Sequence, residues 1–277
     1  MTGTRLEAIL SAVRRDLAVR MAEVPFEETA ARARARGQGR SIRTFLRYGP
    51  GIIAEIKRAS PSRGWIRKDL DAAATASAYA RGGACAISVL TEGSFFGGSL
   101  EDLARACEAS GEVPVLRKDF LLDEYMVAES RAHGADIVLL IVAVLGDGTT
   151  AMIRTAEGYG LEALVEVHDE EEMAIAAAAG ATLIGINNRD LRTLSVDPGT
   201  AKRLLPLAPP AAVKVVESGI STPGEIRMYI ELGADAFLVG ESLVRAGDPA
   251  RAIGELLGRD ARRHDNEEFT GWNRRSC

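Results

Sequence analysis

Short apolar runs alternate along the chain with longer amphipathic stretches. Eight runs rich in Val, Ile and Leu stand out: IIAEIK (52–57), CAISVL (85–90), VPVLRKD (113–119), DIVLLIV (136–142), EALVEVHD (162–169), TLIGIN (182–187), VKVVESG (213–219) and DAFLVG (235–240). Nearly continuous apolar runs predict strands buried on both faces, as in a parallel sheet covered by helices. A Gly-Ala pair introduces every second run, at Gly83-Ala84, Gly134-Ala135, Gly180-Ala181 and Gly233-Ala234, roughly fifty residues apart. Glycine at such a position ends the preceding helix in the left-handed conformation. Eight strand–helix units without a ninth predict an α/β fold closed as a (β/α)8 TIM barrel, for which ~250 residues is usual. An open doubly wound sheet is the competing architecture. Its first turn would be glycine-rich, and the segment here, KRASPSRG (57–64), is not.

Before the first run, Leu6, Ile9, Leu10, Val13 and Leu17 recur at helical spacing with Arg14 and Arg15 on the other face. The expected organisation is an N-terminal helical extension over 1–47, a barrel over 48–257 and a polar tail over 258–277. The basic run ARARARGQGR (31–40) reads as a solvated helix face. The tail is polar and aperiodic.

Composition narrows the class. With 47% hydrophobic and 26% charged residues, 277 residues can bury a full core, which excludes a disordered chain. A net charge of −5 argues against a nucleic-acid partner. Cys85, Cys107 and Cys277 are an odd set without CxxC spacing, and His133, His168 and His264 are scattered. Neither a disulfide framework nor a metal site is expected. The longest apolar stretch, Ile137 to Leu145, is too short to span a bilayer, and the charged N-terminus is not a secretory signal. A cytoplasmic protein with no membrane partner is the expectation.

The chemistry should lie where the strands end, because barrel enzymes place their sites at that face. Glu55 and Lys57 are two residues apart and share a face of the first strand. The third run ends in Arg117-Lys118-Asp119, the fifth in Glu166 and His168, and the sixth in Asn187-Asn188-Arg189. The seventh and eighth end in Glu217-Ser218-Gly219 and Gly240-Glu241-Ser242. Charges at the ends of apolar strands are costly to bury without partners or a task. Any one could be a salt bridge or helix cap, but six strands sharing the feature favour a site. The glycine turns after the last two strands suit an anion held by backbone N–H groups, and a sugar phosphate would also account for Lys57, Lys118 and Arg189 in an acidic chain. Lys57, Lys118, Glu55 and Glu166 form the natural acid/base set, with a Schiff-base role for either lysine as the rival. Cys85 reads as a core residue, and His168 as the start of the fifth loop, without a role.

AEIKRASPSRG (54–64), SVLTEGSFFGGSLEDL (88–103), VLRKDF (115–120), LVEVHDEEE (164–172), GINNRDL (185–191), VVESGIS (215–221) and FLVGESL (237–243) together resemble the indole-3-glycerol phosphate synthase family. The resemblance runs from about Ile52 to Asp248. It implies a carboxy-lyase of tryptophan biosynthesis that needs no cofactor. Such an enzyme closes the ring of 1-(2-carboxyphenylamino)-1-deoxyribulose 5-phosphate to indole-3-glycerol phosphate, releasing CO2 and water. Carried over by position, it makes Lys118 the general acid and Glu166 the base and electrostatic partner of the cationic intermediate. Lys57 and Glu55 would assist dehydration, and Asn187 would orient the substrate. Ser60, Gly219, Gly240 and Glu241 would hold the phosphate, the last through its backbone N–H. Phe96, Phe120, Arg189 and Leu191 would wall the anthranilate ring and its carboxylate, with Ser218 on the polar rim and Glu217 among the substrate- and phosphate-binding residues. The partner is an anthranilate-derived sugar phosphate, with transient contacts to other tryptophan-pathway enzymes. Trp65 departs from the smaller apolar residue usual in the first loop.

Related sugar-phosphate barrels fit less well. Schiff-base aldolases carry their lysine on the sixth strand, where Asn187 stands, and phosphoribosylanthranilate isomerase uses an Asp/Cys pair, yet neither Cys85 nor Cys107 ends a strand. A non-catalytic sugar-phosphate-binding barrel is the reading from another class. It would have lost Lys118 or Glu166, and both are present.

Overall fold

The computed structural model describes residues 4–258; most of the polar tail lies outside the described residues. Each apolar run forms a strand: β1 Gly51–Ile56, β2 Ala86–Leu90, β3 Val115–Lys118, β4 Ile137–Ile141, β5 Glu162–Val167, β6 Leu183–Asn187, β7 Val213–Glu217 and β8 Ala236–Val239. Consecutive strands pair in parallel, and β1 also pairs with β8, through Gly51–Ala236 to Ala54–Val239, so the sheet closes. Every residue of β1, β2, β4, β6 and β8 is buried, which is why these runs are apolar throughout and not alternating. Gly83, Gly134, Gly180 and Gly233 have φ of 78°, 96°, 77° and 94°, the left-handed conformation that turns a helix back toward the next strand.

The N-terminal extension is helical. Helix α1, Arg5–Glu23, starts at a Thr4–Glu7 capping box and buries Ile9, Ala12, Val13 and Leu17. Helix α2, Phe26–Ala35, turns Ala30 and Ala33 inward. The chain then crosses the face of the barrel where strands begin. There the Arg40 backbone N–H and Nε donate to Asp136, just before β4, at 3.0 and 2.9 Å. Ser41 Oγ and the Ile42 N–H donate to Glu162, the first residue of β5, at 2.6 and 3.1 Å. The reading of 31–40 as a solvated face therefore holds for Arg32 and Arg34, which are exposed, and fails at Arg40, which is drawn in by Asp136.

Two small elements occupy the opposite face. Ala59–Ser60 and Gly64–Trp65 pair as a hairpin inside the first loop. In the second loop, a one-turn helix, Gly93–Phe96, begins where the N–H groups of Ser94, Phe95 and Phe96 donate to Glu92. No described helix is long and apolar enough to cross a membrane.

Candidate active site

Five strands aim charged or polar side chains into the C-terminal end of the barrel. Alternation along β1 points Glu55 inward, and Lys57 follows on the same side, its Nζ 2.5 Å from Glu55 Oε1. Lys118, ending β3, reaches across the interior. Its Nζ lies 3.1 Å from Glu166 Oε2 on β5 and 3.1 Å from Glu217 Oε2 on β7. Both carboxylates are 1% exposed. Asn187, ending β6, accepts the Arg189 N–H at 3.0 Å and favours the ionised form of Glu166. Gly185, two residues earlier on β6, leaves room for Glu217: a Cβ there would lie 2.3 Å from Glu217 Oε1.

Burial and charge pull these groups apart. Burial disfavours the Lys118 ammonium, but Glu166, Glu217 and Glu55 more than compensate, holding its pKa well above the ordinary lysine value. Burial also acts to raise Glu166, and Lys118, His168 and Asn187 overcome it, so that carboxyl stays ionised far into acid. For Glu217 burial wins. Lys118 opposes it only in part, with Glu166 and Glu55 repelling, and the carboxyl is pushed up to about 7. Two carboxylates on one lysine thus differ in kind, one a fixed anion and the other able to exchange a proton near neutrality.

These groups line one side of a cavity of about 550 Å³. Phe96 and Phe120, with ring centroids 6.4 Å apart, line it together with Arg189 and Leu191. Ser218, Gly219, Gly240 and Glu241 also line it. Ser218 and Gly219 have φ of 64° and 76°, and a non-glycine residue held there is a strained feature of the kind that collects at functional sites. Of the residues given a site role from sequence, Ser60 alone does not line the cavity, being half-buried in the first-loop hairpin; of the other strand-end residues, Arg117, His168 and Asn188 do not line it either. Glu217, expected from sequence among the binding residues, stands in the charge cluster against Lys118. Trp65 is 57% exposed, with Lys68 Nζ 5.5 Å above its ring and its edge against Gly97 of the second loop.

Sequence reasoning missed several residues here. Arg63 and Arg245 line the mouth and flank Glu241 at 3.6 and 3.3 Å. Gly185 and the spatial role of Gly240 also went unseen. His168, read from sequence as the start of the fifth loop without a role, has its Nε2 3.2 Å from Glu166 Oε1. The EVHD spacing carried a signal for His168, since it sits two residues after Glu166 on an alternating strand.

Fold and site together define a (β/α)8-barrel enzyme with a lysine–carboxylate cluster at the C-terminal mouth. The chain belongs to the indole-3-glycerol phosphate synthase family, whose model matches residues 6–256. An indole-3-glycerol phosphate synthase of Mycobacteroides abscessus is 46% identical over 258 residues, 92% of this chain and 94% of that protein. Indole-3-glycerol phosphate synthase 1 of Streptomyces coelicolor is 48% identical over 254 residues, 91% of this chain and 94% of its own. Among solved structures, 3-hexulose-6-phosphate synthase superposes with a TM-score of 0.59 at 18% identity, over 76% of this chain and 100% of that one. That likeness speaks to the fold alone.

Proposed function

We propose that the chain catalyses the reaction of its family, the conversion of 1-(2-carboxyphenylamino)-1-deoxyribulose 5-phosphate to indole-3-glycerol phosphate, CO2 and water. The observation that carries the assignment of roles is the placement of Lys118 between Glu166 and Glu217 at the edge of the cavity. The ring carbon bearing the carboxylate attacks the ketone, and Lys118 delivers a proton to the ketone oxygen as its charge develops. Its raised pKa keeps the ammonium loaded, and the incipient alkoxide is basic enough to take the proton. Attack interrupts aromaticity and leaves a positive nitrogen, which the ionised Glu166 stabilises electrostatically. Loss of CO2 returns an electron pair to the ring. Lys57, paired with Glu55, then protonates the departing hydroxyl, and loss of a proton from the ring methylene beside the nitrogen forms the last double bond, leaving the indole with its N–H. Glu217, titrating at about 7, is suited to relay that last proton.

In the same reading Asn187 orients the substrate, and Phe96, Phe120, Arg189 and Leu191 hold the anthranilate ring and its carboxylate. The phosphate sits on the backbone N–H groups of the Gly219 and Gly240–Glu241 turns, with Ser60 closing from the first loop and Ser218 on the rim. The side chain of Glu241 faces Arg63 and Arg245, which leaves its N–H for the ligand. The setting is the cytoplasm, with transient contacts to enzymes of the same pathway. The purified, EDTA-treated protein, given the substrate alone, is expected to produce indole fluorescence, and Lys118→Ala to lose at least about 100-fold in kcat. Substrate binding without indole formation in the wild type would favour the sugar-phosphate-binding reading instead.

A further inference from the structure

The cluster around Lys118 has a member that the roles above leave unused. His168 follows β5, and its ring is wedged between two carboxylates. Nδ1 lies 2.9 Å from Glu172 Oε2 and Nε2 3.2 Å from Glu166 Oε1. Lys118 takes the other oxygen of Glu166, Oε2, so the two cations grip the carboxylate from both ends. Glu172 is itself fixed. It accepts the His168 backbone N–H at 2.8 Å, and its own N–H donates to Asp169 at 2.9 Å at the start of the helix Glu170–Ala178.

We propose that His168, anchored by Glu172, is a positioning residue whose imidazolium clamps Glu166 and fixes the plane in which that carboxylate meets the reacting centre. The charges favour a protonated ring. The ring lies against two carboxylates, Glu166 and Glu172, and only the first of them also pairs with Lys118. The two flanking carboxylates outweigh burial and hold the ring's pKa up to about 10. On the outer side Arg192, in the loop after β6, acts on both Asp169 and Glu172. The segment 142–148, packed on the same helix, contributes Asp147, and the next helix, Thr149–Gly158, contributes Arg154 and Glu157.

The inference rests on the synthase reading for the reaction it serves, so one arm of the test does not depend on activity. In ¹⁵N-histidine NMR of the wild-type protein, the His168 ring should carry protons on both nitrogens at pH 8; a neutral ring there overturns the clamp. In kinetics, His168→Gln keeps a donor but not the charge. Its kcat should fall about 10- to 100-fold with KM changed less than about threefold. Glu172→Gln leaves the ring in place and removes the anchor, so the imidazolium deprotonates more easily. Its kcat should fall as pH rises from 7 to 9, relative to the wild type. A Glu172→Gln profile parallel to the wild type, or His168→Gln within twofold of it, overturns the proposal. A wild-type protein without synthase activity would sink the functional reading, while the NMR arm would still decide the clamp.

Discussion

A Cβ on Gly240 would lie 2.4 Å from Glu55 Oε1 and 3.1 Å from Lys57 Nζ. Its φ is negative, −123°, and the crowding is what calls for glycine there. Alanine would keep the backbone N–H that the phosphate uses but would push the Glu55–Lys57 pair aside. The expected result for Gly240→Ala is a folded protein whose kcat is lower by about 10- to 100-fold, because misplacement by an ångström costs that much, with KM changed only slightly. Steady-state kinetics would separate the two uses of this glycine, and a raised KM with intact kcat would assign it to the phosphate alone. Nothing in the sequence marks this role. Glu55, Lys118 and Glu166 were legible because charge at the end of an apolar strand is conspicuous. The crowding at Gly240 and Gly185, and the pairing of Glu217 with Lys118, exist only once closure brings separate strands face to face.

At the scale of elements, the regular parts of the fold were legible and the connections less so. Eight apolar runs and the Gly-Ala beat define the strands and the helix ends because burial on both faces and a left-handed turn each impose a local composition. The first-loop hairpin and the one-turn helix at Glu92 depend on a few backbone hydrogen bonds and leave no such pattern. The linker after α2 shows a similar limit, since its last arginine is recruited by an acid 96 positions away. Asp136 is 3% exposed and also accepts the Val115 N–H at 3.0 Å, tying the extension, β3 and β4 together. Arg131 Nη1 lies 3.3 Å from Asp136 Oδ1, so Asp136→Asn takes the counter-charge from both Arg40 and Arg131, and a loss of about 2–4 kcal/mol in unfolding free energy is expected. Because this contact lies where the strands begin, kcat should hardly move. Urea denaturation alongside the activity assay would check both, and a fall in kcat at unchanged stability would mean that the two faces communicate.

Over the whole molecule, acids where strands begin accept backbone N–H groups, and the two that flank Lys118 where strands end do not. Asp136 and Glu162 accept hydrogen bonds from neighbouring N–H and side-chain groups, whereas Glu166 and Glu217 lie against Lys118, and Glu166 also against His168, with no backbone donor among the described residues. Buried polar groups left this way destabilise a fold and mark the place where function has been put ahead of stability. Glu217 makes the argument quantitative. Its carboxyl titrates at about 7 in the folded protein and at ~4.3 in an unfolded chain. Between those values the folded state keeps a proton that the unfolded state has released, so this residue lowers stability progressively as pH rises, with the full penalty above 7. Glutamine resembles the protonated acid and never carries the charge. Glu217→Gln should therefore be more stable than the wild type at pH 8 by about 1–3 kcal/mol, and the gap should narrow as pH falls toward 5. Its synthase activity should drop sharply over the same range. Urea midpoints at several pH values would test this. A variant less stable than the wild type at pH 8 would mean that attraction to Lys118 outweighs the burial of the charge, and that Glu217 is a fixed anion like Glu166.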